Sequence, residues 1–120
     1  MSDIRIHAAQ LLLPEGLVPD RVVTVADGRI TAVTGGKAAD ADRSAEFVAS
    51  AFVDIQINGG GGVQFNETPT VDALASIAAA ARKGGTAAIL PTWITAEGQS
   101  FRAALDAAAG ALAARVPGVV

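Results

Sequence analysis

The chain has 120 residues and a mass of 12.0 kDa, room for one modest domain but not for a complete (β/α)8 barrel, which needs about 250 residues. Hydrophobic residues make up 51% and charged residues 18%, a balance that favours a folded chain, although much of the apolar content is alanine, which buries little area per residue. Nine Lys and Arg against twelve Asp and Glu leave a net charge of -3 with the basic residues scattered, which argues against nucleic acid or an anionic membrane as partner. The absence of cysteine excludes disulfides, thiolate catalysis and Cys-based metal sites.

Residues Met1-Ser2-Asp3-Ile4-Arg5-Ile6-His7 lack the basic start and apolar core of a signal peptide, and no apolar run approaches the ~20 residues of a membrane span. The chain reads as a cytoplasmic, soluble protein. His7 is the single histidine, so a metal site built within this chain alone would rely on carboxylates or amides; on the predicted β segment it reads as a partly exposed strand residue.

The first fifty residues read as a small antiparallel β unit. Ile4 to Ile6 and Leu11 to Leu13 are predicted as short strands, followed by the breaker Pro14-Glu15-Gly16. Asp27-Gly28 lies between two β-branched runs, a strong hairpin signal because a type I′ turn needs positive φ at both central residues. Pairing Ala26 with Arg29 predicts Val23, Val25, Ile30 and Ala32 on one face, with Val22, Thr24, Thr31 and Val33 on the other. Residues 35–43 read as a loop, and Glu46-Phe47-Val48 as a last strand.

The pattern changes near Ala51. A strand is predicted over residues 51–58 and stops at the four glycines Gly59 to Gly62. Thr68-Pro69 offers a helix start with Thr68 as N-cap. Leu74, Ile77, Ala78 and Ala81 then mark one helical face, and Gly84-Gly85 ends it. Ala87-Ala88-Ile89-Leu90 forms a second strand ending at Pro91. Phe101, Leu105, Ala108 and Leu112 mark a second helix starting near Gln99 or Ser100, and Val119-Val120 begins a third strand. Strand, helix, strand, helix, strand is the signature of a parallel α/β sheet. The expected organisation is therefore a β unit over residues 1–50 and βα units over 51–120.

Three places offer chemistry. Along the first α/β strand, alternation puts Asp54, Gln56 and Asn58 on one face and Val53, Ile55 and Ile57 on the other; the polar face is either the edge of a site or the wet side of an edge strand. The run Asn58-Gly59-Gly60-Gly61-Gly62 matches neither GxGxxG, since Gln64 stands where the last glycine belongs, nor a P-loop, so it is either a tight turn beside a site or a connector. Leu90-Pro91-Thr92-Trp93-Ile94-Thr95 ends the second strand, where parallel sheets bind ligands; the competing reading is that Trp93 packs and Thr95 starts the next helix. No Ser/His/Asp set, paired carboxylates or HExxH motif is present.

Residues 52–66, Phe-Val-Asp-Ile-Gln-Ile-Asn-Gly-Gly-Gly-Gly-Val-Gln-Phe-Asn, resemble the first barrel strand and loop of the N-acetylglucosamine-6-phosphate deacetylases of the amidohydrolase superfamily. Leu90 to Thr95 resembles their second strand end, and Asp27 to Ile30 a hairpin of the β-sandwich domain that precedes the barrel. Gln56-Ile57-Asn58 stands where most amidohydrolases have His-x-His. The resemblance implies a small N-terminal β-sandwich segment followed by the first two βα units of an amidohydrolase-type (β/α)8 barrel. It also implies hydrolysis of N-acetylglucosamine 6-phosphate to glucosamine 6-phosphate and acetate.

From the resemblance, the longer enzyme uses one divalent metal ion, zinc or similar, takes an amino-sugar phosphate as its small-molecule partner and forms a homodimer. Gln56, Asn58, Gly59, Gly60 and Thr92 are expected to line the active site, with Gln56 a neighbour of the metal and no direct ligand or catalytic residue within these 120 residues. Ser50-Ala51 replaces the family's Pro-Gly before the strand, and the family's metal-binding Glu, in His-Leu-Glu-Gly-Pro, would follow Val120. The isolated chain is accordingly expected to be inactive and to bind no metal tightly. The alternative is a non-catalytic remnant or interaction module completed by another chain.

Overall fold

The structure, a computed structural model, describes residues 3–97 and 101–120. The chain divides into two compact units, Met1–Ser50 and Ala51–Val120, at the position where the apolar pattern changes. It is a mixed α/β fold, mostly strands with two helices among the described residues.

The first unit is a four-stranded sheet of β1 (Ile4–Leu13), β2 (Gly16–Ala26), β3 (Arg29–Gly35) and β4 (Arg43–Val48), in the order β3-β2-β1-β4. β1 is one continuous strand instead of two short ones, because its register with β2 runs from Ile4–Val25 to Leu13–Gly16 without a shift. A second correction concerns direction: β4 runs parallel to β1, so the sheet is mixed. The residues between β3 and β4 are long enough to carry the chain back along the sheet, and Ala38–Asp40 form a 3₁₀ turn on the way.

Asp27 and Gly28 have φ of 49° and 74°, as the I′ turn requires. The expected register holds for Ala26–Arg29 and Val25–Ile30 and then shifts, so Thr24 pairs with Ala32 and Val23 with Val33. This bulge moves Val33, in place of Ala32, onto the Val23 face. Ala8, Leu11 and Val23 are the buried core of the unit, with Val18, Val25 and Val48 packed around them. The four strands of this unit form a single sheet.

His7 also differs from expectation. Only 6% of it is exposed, with Nδ1 2.9 Å from Ser44 Oγ and Nε2 3.4 Å from Asp20 Oδ1. The cross-strand neighbour Ser44 supplies the hydrogen bond that makes burial of the ring tolerable.

The second unit contains β5 (Phe52–Ile57), β6 (Gly59–Gly60), β7 (Val63–Gln64), α1 (Val71–Lys83), β8 (Thr86–Pro91) and α2 (Arg102–Ala113). β5 and β8 are parallel. Val119 bridges Ile89 in parallel on β8, with Ile89 N–H donating to the Gly118 carbonyl at 2.7 Å and Val120 N–H to the Ile89 carbonyl at 3.1 Å. Three successive segments thus meet side by side in chain order.

α1 is capped by Thr70, whose hydroxyl accepts from Ala73 N–H at 3.1 Å, so the helix starts two residues later than a Thr68 cap would place it. Its buried face is Ala73, Leu74, Ile77 and Ala78, and Ala81 packs at the margin of the same core. Gly84 caps the C-terminus and Gly85 follows with φ 91°. The expected start of the second helix at Gln99 or Ser100 lies outside the described residues.

α2 buries a face about a quarter turn from the one its large side chains suggested, with Ala108 of the expected stripe at the margin of the core. Ala104, Ala107 and Ala111 are buried, whereas Phe101, Leu105 and Leu112 are exposed by 63%, 59% and 53%. Close approach decides this: a Cβ on Gly110 would come within 2.9 Å of Val71 Cγ2, so only the small-residue face fits against α1.

Candidate functional site

β5 and β8 end side by side, joined beyond their last paired residues by Thr92 N–H donating to the Ile57 carbonyl at 2.8 Å. This end carries Gln56, Asn58 and the glycine run from the first strand and Thr92 from the second. Parallel α/β sheets bind ligands at the carboxyl ends of their strands.

Simple alternation fails on β5. Asp54 pairs with Ile89 and Ile57 with Pro91, so three steps on β5 match two on β8 and one extra residue is absorbed as a bulge. Asp54 Oδ1 accepts the Gln56 N–H at 3.0 Å within it. Ile57 consequently turns into the core under α1, while Val53 and Ile55 are exposed. Asp54, Gln56 and Asn58 therefore do not form one straight polar row. Gln56 is exposed, and Asp54 and Asn58 are half-buried.

The glycine run is a tight turn. Gly59–Gly60 pairs antiparallel with Val63–Gln64, and Gly61 and Gly62, at φ 61° and 81°, close a two-residue hairpin. A Cβ on Gly59 would lie 2.5 Å from Gln64 Oε1 and 2.7 Å from the Val63 carbonyl oxygen, and one on Gly61 2.9 Å from Ala80 Cβ. The hairpin thus lies flat against α1. Asn58, Gly59 and Gly60 line one wall of an open concavity of about 470 Å3 completed by Gly62, Val63 and Gln64. Gln56 and Thr92 do not line it.

The segment after β8 is held from the first strand's loop. Trp93 meets the buried Phe65 edge to face, with ring centroids 6.2 Å apart, so the packing reading of Trp93 holds; Thr95 is exposed and outside any helix. Asn66, which sequence reasoning did not single out, grips Ile94 with both ends of its amide: Nδ2 donates to the Ile94 carbonyl at 2.6 Å and Oδ1 accepts from Ile94 N–H at 3.0 Å. Thr92 Oγ1 is buried and has no hydrogen-bond partner among the described residues, an unsatisfied group of the kind that a ligand or further chain satisfies.

The chemistry these groups offer is hydrogen bonding by neutral donors and acceptors: the amides of Gln56, Asn58 and Gln64, the Thr92 hydroxyl and the backbone of the glycine hairpin. Among the described residues, no three His, Cys, Asp or Glu side chains gather to hold a metal ion. The donor set of this chain therefore does not by itself fit a divalent cation.

No family model matches the chain. It is 35% identical over 119 residues to the N-acetylgalactosamine-6-phosphate deacetylase of Shewanella sp. (strain ANA-3), covering 93% of this chain and 30% of that protein. The chain corresponds to an N-terminal portion of the amino-sugar-6-phosphate deacetylases. Among solved structures, the N-acetyl-D-glucosamine-6-phosphate deacetylase of Mycobacterium smegmatis is similar with a TM-score of 0.72 and 29% identity, covering 94% of this chain and 32% of that one. The N-acetylglucosamine-6-phosphate deacetylase of Pasteurella multocida, at 24% identity and a TM-score of 0.76 over 93% of this chain and 31% of its own, shares the fold. The 120 residues span about 30% of the length of these deacetylases. Among the described residues no helix is long and apolar enough to cross a membrane.

Proposed function

We propose that this chain is the N-terminal part of a deacetylase that hydrolyses the acetamide of an N-acetylhexosamine 6-phosphate, releasing acetate and the amino sugar 6-phosphate in the cytoplasm. In this reading residues 51–120 supply the first two βα units of a (β/α)8 barrel, residues 1–50 part of a small β-sandwich domain, and the longer enzyme is a homodimer. The observation that carries it is the convergence of Asn58, the glycine hairpin and the buried, unpartnered Thr92 hydroxyl at the carboxyl ends of two adjacent parallel strands, where barrel enzymes place their sites. Asn58 and Thr92 are hydrogen-bonding groups for the sugar or its acetamide, and the hairpin lets its backbone approach closely. Gln56 stands beside the centre, and the divalent metal, zinc or similar, belongs to donors other than those this chain brings together.

The curated relative is named for the galactosamine substrate and the solved structures for the glucosamine one; the two sugars are epimers, and both are candidates. The test is a hybrid in which these 120 residues replace the matched portion of the Shewanella deacetylase, assayed for acetate release from each sugar phosphate. Turnover is expected, with a lower kcat/KM for Gln56→Ala, and the 120-residue chain alone is expected to be silent. A folded, metal-loaded hybrid with no activity would overturn the reading. The exposed Phe52, Ile55, Phe101 and Leu105 favour one competitor, an interaction module completed by another chain. A stable, monodisperse monomer of the 120 residues in light scattering would favour that module over a piece of a barrel.

A further inference from the structure

We propose that Asn66 is a positioning residue of the candidate site, a latch that holds the segment after β8 so that the Thr92 hydroxyl sits at the end of β5. The proposal rests on the deacetylase reading for what the site binds, but the latch itself stands on geometry. Beyond Pro91 the chain leaves the ladder, and three contacts then fix three consecutive residues. Thr92 N–H reaches the Ile57 carbonyl at 2.8 Å, the Trp93 ring rests edge-on against Phe65, and the Ile94 backbone is gripped by Asn66 at 2.6 and 3.0 Å.

All three holding groups come from β5 and the loop that follows it. The carboxamide of Asn66 acts as a substitute peptide group, donating and accepting at once in one plane, and so extends the two-strand pairing by one step without a strand. Among short side chains only Asn offers both functions at this reach. Asp keeps the acceptor but sets a second oxygen against the Ile94 carbonyl, and Ala loses both bonds. Since Thr92 lies two residues from the latch, release of Ile94 displaces a hydroxyl that has no bond of its own among the described residues to hold it. Small misplacements of substrate-positioning groups cost large factors in rate.

Two measurements test this. In the 120-residue chain, hydrogen exchange at the Ile94 amide is compared with that at Ile89, whose N–H bonds to Gly118 outside the latch. Asn66→Ala should speed exchange at Ile94 by about tenfold or more, leave Ile89 unchanged, and shift the emission of Trp93, the only tryptophan, to the red. Unchanged exchange at Ile94 would overturn the latch.

In the hybrid deacetylase, assayed with N-acetylgalactosamine 6-phosphate and N-acetylglucosamine 6-phosphate, Asn66→Ala should lower kcat/KM by about ten- to a hundredfold, with Asn66→Asp no better and the far-ultraviolet circular dichroism unchanged. Equal kcat/KM in an active hybrid would refute the positioning role while leaving the deacetylase reading intact. A folded but inactive parent hybrid would instead remove the site that the latch is said to serve.

Discussion

Leu74→Ala and Leu105→Ala make a paired test of which helix faces carry the second unit. Both leucines sit at apolar helical positions, yet Leu74 is 0% exposed and Leu105 is 59% exposed. Leu74 lies in the core with Phe65, Ile77 and Ile89, where truncation removes transfer free energy and leaves a cavity that close packing cannot fill; such changes cost about 3–5 kcal/mol. Fully burying a leucine is worth about 1.5–3 kcal/mol, and Leu105 is less than half buried, so its truncation should cost about 1 kcal/mol or less, partly offset by the better helix propensity of alanine. Against a stability of about 5–15 kcal/mol for a typical domain, the first change moves the unfolding midpoint strongly and the second hardly at all. The assay is urea unfolding followed by tryptophan fluorescence, because Trp93 packs against the core of this unit and so reports it without interference from residues 1–50. Equal losses for the two variants, with unchanged denaturant slopes, would mean that the large apolar face of α2 is covered in solution, and would refute the division of α2 into an alanine face inside and a leucine face outside.

Thr70→Ala should cost about 1 kcal/mol by removing the cap on Ala73 N–H, and Thr70→Ser should recover most of it; the same urea titration measures both. Thr68→Ala, at the residue that the sequence nominated as cap, should leave the midpoint within about 0.5 kcal/mol. Gly59→Ala should disrupt the glycine hairpin, since the new Cβ collides with the Val63 carbonyl oxygen as well as the Gln64 side chain, and amide exchange at Gln64 and Phe65 should rise. Gly28→Val, at φ 74°, should destabilise the first unit by about 1–3 kcal/mol in thermal unfolding followed by circular dichroism at a strand wavelength, with the Trp93 transition unmoved.

Much of the candidate site was legible because its residues are chemically conspicuous. Amides at the end of an otherwise apolar strand, four consecutive glycines and a threonine after a strand-ending proline each break a local rule, and all lie at the strand ends where the structure brings β5 and β8 together. Asn66 gave no such signal. A lone asparagine after an aromatic residue is an ordinary turn residue, and its role depends on a backbone segment 28 residues away. The same limit explains the β5 face assignment. Alternation assumes one residue per step, and nothing in the sequence of residues 54–57 announces the bulge that turns Ile57 into the core.

Sequence alone determined the elements that depend on local chemistry: the Asp27-Gly28 turn, the buried face of α1, the glycine stop at Gly84 and Gly85, and the change of organisation near Ala51. Its motifs also pointed to the deacetylases. Tertiary structure decided what depends on partners distant along the chain. It ran β4 parallel to β1, shifted the β2–β3 register at Thr24, buried His7 beside Ser44, and chose alanines over leucines as the packed face of α2. The physical reason is common to all four. Periodicity states how side chains alternate along one element, whereas the distance of closest approach and the hydrogen bonds on offer belong to the neighbour it meets.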